Sequence, residues 1–155
     1  MSIALTSPIT GGPQTGFTSP TYTIVTDQAP TSLGKQVAVS ALGGTQAGVT
    51  THTVSSPFTI NFVRPAVYKA LGKPNPTTGL IKDVPRNTFK WIARKGMTPL
   101  AGQPIAIALG SVTLEIPAGC DTADAANVRA LLSALFGAVW QQSAGCGDTM
   151  IQGTV

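Results

Sequence analysis

Pro117 divides this chain into two periodicities. Before it, apolar residues recur at every second position in several stretches. After it, they recur at every third or fourth. The first repeat belongs to a β-strand with two unlike faces, the second to an amphipathic helix. A sheet is built first and a helix is laid against it afterwards, which is an α+β layout of antiparallel strands followed by a C-terminal helix.

The strand candidates are TYTIVT (21–26), KQVAVSAL (35–42), THTVSSPFTINFV (51–63, interrupted at Pro57), NTFKWIARKG (87–96) and IAIALGSVTLEIP (105–117). Three of them alternate in a usable way. Phe58, Ile60 and Phe62 alternate with Thr59, Asn61 and Val63. Phe89, Trp91 and Ala93 alternate with Thr88, Lys90, Ile92 and Arg94. Val112, Leu114 and Ile116 alternate with Ser111, Thr113 and Glu115. The apolar sets want a common cover, and their partners then share the opposite, polar face. Residues 1–20, rich in Ser, Thr, Gly and Pro, read as an N-terminal arm. Residues 43–48 read as a loop, and 70–85 as a long exposed loop with room for a small hairpin.

The helix is expected over 121–142, with Asp121 or Thr122 as N-cap and Asp124 in its first turn. Val128, Leu131, Leu132, Leu135, Phe136, Val139 and Trp140 fall on one wide stripe. That stripe should cover the apolar faces of the strands. At about 20 residues, or roughly 30 Å, it is long for one small sheet, which points to a dimer. SAGCG (143–147) should end it, and DTMIQGTV adds a turn or a short second helix. The 155 residues suit one domain, β-rich over 21–117 and helical over 121–155.

Only 10% of the residues are charged, against about 25% in an ordinary soluble domain. Such a surface suits a subunit largely covered by other subunits. The net charge is +4, and eight of the ten Lys and Arg residues lie between Arg64 and Lys95, opposed there only by Asp83. A basic zone of this kind is the footprint of a polyanion, or of a solvated face. The N-terminus has no basic n-region, and no apolar run approaches the roughly 20 residues of a membrane span.

A search for catalysis finds little. His52 is the single histidine, and no Gly-x-Ser-x-Gly elbow accompanies it. Asp27, Asp83, Glu115, Asp121, Asp124 and Asp148 are dispersed, without acid/base or metal spacing. Cys120 and Cys146 lack metal spacing as well; in a reducing cytosol they stay free thiols, and a bridge formed after release is left open. No cofactor and no enzymatic activity are expected.

From about residue 86 onwards the chain resembles the coat proteins of single-stranded RNA bacteriophages, the levivirus-like family. The resemblance rests on RNTFKWIARKG, the strand GSVTLEIP and the helix GCDTADAANVRALLSALFGAVWQQ with its short tail. Residues 1–85 fit in layout only. The resemblance implies an N-terminal β-hairpin, a five-stranded antiparallel sheet and C-terminal helices, in an interlocked dimer whose sheets join edge to edge. It implies an icosahedral shell in the virion, assembled in the host cytoplasm, with no membrane partner. It also implies an inward sheet face that binds genomic single-stranded RNA and represses replicase translation through a hairpin. Carried over by strand and parity, the RNA-facing positions are Thr59, Asn61, Thr88, Lys90, Arg94, Ser111 and Thr113. Two departures stand out. The family's aromatic reader on the last strand falls near Leu109 here. The loop 97–104 is shorter, and 70–86 longer, than in well-known relatives. Two other classes fit the residues: a small non-viral RNA-binding protein, and a β-rich fibre or tube subunit.

Overall fold

The computed structural model of the chain describes residues 3–154. The first two residues of the expected arm and the last of the expected helical region lie outside that span. Six strands form one antiparallel sheet in sequential order: β1 (Ile9–Thr10), β2 (Thr18–Asp27), β3 (Gly34–Thr45), β4 (Phe58–Val63), β5 (Arg86–Met97) and β6 (Ala106–Pro117). Three helices follow: α1 (Cys120–Ala123), α2 (Ala125–Gln141) and α3 (Ser143–Gln152).

The expected hairpin and five strands are thus a single six-stranded sheet. The extra strand lies within the arm, where Ile9 and Thr10 pair with Tyr22 and Thr21, and Gly11 N donates to Pro20 O at 2.8 Å. The third strand starts only at Phe58, because Pro57 has no N–H for a ladder; residues 46–57 are loop. Loop 70–85 forms no strand. Asn75 closes its tip instead, receiving Gly79 N on its carbonyl and Thr77 N on its side chain, each at 2.8 Å.

The expected helix ends at Gln141, one residue from the expected bound, but is broken once within its span. The chain leaves helical dihedrals at Asp124 (φ −144°, ψ 46°), so α1 is one turn opened by Gly119 rather than by Asp121 or Thr122. Asp124 then opens α2, its carboxylate oxygens both receiving Asn127 Nδ2 at 2.9 Å. The short second helix starts earlier than DTMIQGTV, because SAGCG already forms the first turns of α3. Local propensity read Gly145 and Gly147 as stops, and tertiary contacts override it. Gln14 Nε2 donates to Ser143 O at 2.7 Å and to its Oγ at 2.8 Å, and Thr15 Oγ1 donates to Asp148 Oδ2 at 2.8 Å. A Cβ on Gly147 would run into the Gln14 side chain. Glycine there admits the arm.

The apolar face carries Phe62 against Trp91 (centroids 4.9 Å apart) and Phe89 (6.3 Å), with Tyr22 edge-on to Phe58 at 5.6 Å. The expected cover is incomplete. No residue of any helix is buried. A cleft of about 390 Å³ separates α2 from the sheet, with Val128, Leu132 and Phe136 on one wall and Phe89, Trp91 and Leu114 on the other. Among the described residues only Ala38, Val39, Leu114 and Ala118 make a buried apolar core. The chain exposes 10737 Å², where a compact 15.8 kDa monomer exposes about 7,300 Å².

One backbone position is sharply constrained. Gly44 has φ +71°, and a Cβ there would collide with the carbonyl oxygens of Thr18 and Ser19 on the paired strand. Gly44→Ala should therefore destabilise the β2–β3 ladder by about 2–4 kcal/mol, combining the left-handed penalty with overpacking. A drop in Tm by calorimetry checks it; an unchanged Tm would refute it.

Candidate nucleic-acid interface

Strand pairing decides which side chains share a face, because directly opposite residues point the same way. Lys90 lies opposite Val63 on β4 and Thr113 on β6. Ile92 lies opposite Asn61 and Ser111, Arg94 opposite Thr59 and Leu109, and Thr88 opposite Glu115. The seven positions expected to face RNA therefore occupy one face across three strands. Phe62, Trp91 and Val112 line up on the other.

Accessibility divides the seven. Lys90, Ser111 and Thr113 are exposed, and Thr88 and Arg94 are half-buried. Thr59 and Asn61 are only 5% and 6% exposed, because β4 is central and its neighbours close over it. They form a floor, with the cations and hydroxyls of β5 and β6 around it. Neither Lys90 nor Arg94 has an ion-pair partner among the described residues. The ion pair found there is Arg86 with Glu115, at 3.4 Å on the rim.

The basic zone is continuous in sequence but split by the fold. Lys90 and Arg94 reach the polar face. Lys95 has the opposite parity: its Nζ lies 5.0 Å from the Phe58 ring centroid and donates to Thr50 Oγ1 at 2.9 Å. Burial holds its pKa below the usual lysine range. Lys69 starts a loop clamped to the sheet by Asn87, whose Oδ1 receives Lys69 N at 2.8 Å. The ring of Tyr68 there packs 6.1 Å from Phe89, on the apolar side. β5 also runs on to Met97, so Lys95 and Gly96 belong to the strand.

Gln36 and Asp27 extend the polar face onto β3 and β2. Gln36 is paired with Asn61, and its Nε2 donates to Asp27 Oδ2 at 2.6 Å. That bond, the Gln28 backbone N–H and the nearby His52 hold the Asp27 carboxyl below the usual carboxylate range, so it is ionised near neutrality. The Gln36 and Asn61 side-chain oxygens are buried with no donor among the described residues. The signal for Gln36 was present in the sequence, since Gln36 and Ala38 alternate with Val37 and Val39 just as Thr59 and Asn61 alternate with Ile60 and Phe62.

His52 Nδ1 receives the backbone N–H of Phe58 at 3.0 Å. Cys120 and Cys146 are free thiols. Among the described residues no group of three or more His, Cys, Asp or Glu could hold a metal, and no helix is long and apolar enough to cross a membrane.

No family model matches the chain, and no curated protein matches it. A solved structure does: the virus-like particle of bacteriophage ESE020, at 54% sequence identity, covering 99% of this chain and 100% of that one, with a TM-score of 0.96. Identity at that level along the whole length settles the class. The chain belongs to the coat-protein family of the single-stranded RNA bacteriophages and is a structural capsid protein.

Proposed function

We propose that two copies of this chain pair along β6 and exchange their helices, and that such dimers close into an icosahedral shell around single-stranded RNA. The observation that carries this reading is the unsealed apolar face. The chain leaves roughly 3,400 Å² more surface in water than a compact monomer of its mass would. Obligate interfaces of 2,000–5,000 Å² are of this order and resemble a core cut in half. β6 is a twelve-residue edge strand with one side unpaired, and such an edge invites a second strand. A partner's α2 laid in the cleft would meet Leu132, Phe136 and Trp91. Seen as a whole, residues 1–155 act as one coat domain.

The opposite face would then look inward. Lys90 and Arg94, repeated in every subunit, supply phosphate contacts. Thr88, Ser111 and Thr113, above the floor of Thr59 and Asn61, supply hydroxyl and amide groups for sugars and bases. Leu109 stands where the resemblance expects an aromatic, and base stacking there would be worth about 1–3 kcal/mol. Without it the face is better suited to packaging RNA by charge than to singling out one hairpin. Repression of replicase translation would be a further use of the same face. The protein would assemble in the host cytoplasm and reside in the virion.

Electron microscopy of the purified recombinant protein, with absorbance at 260 and 280 nm, tests the reading. Closed particles containing RNA are expected. A discrete dimer that binds RNA without forming a shell would favour a small RNA-binding protein, and open-ended polymers free of RNA would favour a fibre or tube subunit.

A further inference from the structure

We propose that His52 is a pH-sensitive latch. In its neutral form it holds loop 46–57 on the end of the sheet, and protonation releases that loop together with the β5–β6 turn beside it.

The loop is tied down at few points. His52 N donates to Val39 O at 2.9 Å, Thr53 N to Ser56 O at 3.0 Å, and Gly96 N to Pro57 O at 2.7 Å. Lys95 Nζ donates to Thr50 Oγ1 at 2.9 Å. At its start Gln46 Nε2 donates to Gly43 O at 2.7 Å and Thr21 O at 3.2 Å. At its far end the imidazole is a further tie: Phe58 N, the first amide of β4, donates to His52 Nδ1 at 3.0 Å. Only a ring with a bare Nδ1 can accept that bond. A protonated imidazole carries a hydrogen on both nitrogens and accepts nothing. Protonation would set two N–H donors against each other and leave the Phe58 amide without a partner. The ring is half-buried, not sealed, so protons reach it. Histidine is the side chain whose charge ordinarily changes between about pH 5 and 8.

The strands beside the loop carry charges of both signs. β2 supplies Asp27 and the neutral phenol of Tyr22. β5 supplies Arg94 and Lys95. β3 contributes only Lys35, four residues from Val39, and β4 carries no titratable group. The consequence extends past the loop. Thr50 and Ser56 share a cavity of about 550 Å³ with Lys95, Thr98 and Ile105, so the loop and the β5–β6 turn border the same open space. A released loop has room to move and removes one wall of that turn.

Amide hydrogen exchange of the purified protein at pH 7.5 and 5.5, corrected for the intrinsic pH dependence of exchange, reads the latch directly. Protection of residues 46–58 should fall at least tenfold in acid, with a midpoint that matches titration of the His52 ring followed by NMR. In His52→Asn, whose Oδ1 can take the place of Nδ1 and does not titrate, protection should stay level across the range. In His52→Ala it should be low at both pH values. Level protection in the wild-type protein, a midpoint away from the ring's titration, or an equal fall in His52→Asn would overturn the proposal.

Discussion

Leu132→Asp is expected to abolish particles and dimers while Ser133→Asp, one position along the same helix, leaves both intact. Leu132 lines the cleft between α2 and the sheet, facing the aromatic surface of Phe89 and Trp91, and Ser133 is exposed. In the lone chain that cleft is open to water, so aspartate there is tolerable. Once a partner closes it, the carboxylate is trapped without a counter-charge. The effective penalty for such a burial is several kcal/mol even after relaxation. At 1.4 kcal/mol per tenfold, dimer dissociation rises by roughly a hundredfold or more. Phe136→Asp should act alike. The sheet itself should survive, because no helix residue is buried and the strand ladder carries its own hydrogen bonds. Size-exclusion chromatography and electron microscopy report the assembly, and circular dichroism reports the sheet. Normal particles from Leu132→Asp would show that the cleft is not an interface.

The double variant Lys90→Ala, Arg94→Ala should assemble and yet lose RNA. Neither side chain has an ion-pair partner among the described residues, so nothing is left unsatisfied by truncation. The strand pairings to β4 and β6 run through the backbone and are unaffected. Each phosphate contact to a single strand contributes about 0.7 to the slope of log affinity against log salt. Removing both should flatten that slope by about 1.4 per subunit. It should also lower the 260/280 nm absorbance ratio of purified particles. The matching control is Lys95→Ala, which lies on the other face over Phe58. It should alter the loop end of the sheet and leave the salt slope alone. Equal slopes for the double variant and the wild-type protein would remove the polar face from the RNA contact.

The contrast between Lys90 and Lys95 shows how far a one-dimensional reading extends. Alternation within β5 assigned Phe89 and Trp91 to one face and Lys90 and Arg94 to the other, and pairing with β4 and β6 keeps those assignments in register. The period is a local property of an extended backbone, so it is legible residue by residue. The charge run from Arg64 to Lys95 looked like one patch because sequence distance was its only measure. The fold turns Lys95 toward Phe58 and clamps the loop after Lys69 to the apolar side through Asn87. Burial of Thr59 and Asn61 was equally illegible, since it depends on β4 being central in the sheet. The glycines of α3 misled for the same reason. The contacts of α3 with the arm join residues 129 or more positions apart.

Strand and helix types, the order of sheet before helix, the two faces of each strand and the apolar stripe of α2 were all set by local periodicity and side-chain chemistry, and the sequence alone carried them. Three things depended on the tertiary structure. It merged hairpin and sheet into six strands, divided one basic zone between two faces, and left α2 standing off an aromatic surface that one chain does not seal. Each of these is a matter of which distant segments meet. That outcome comes from summed pairing and burial across the whole chain, and no window of neighbouring residues contains it.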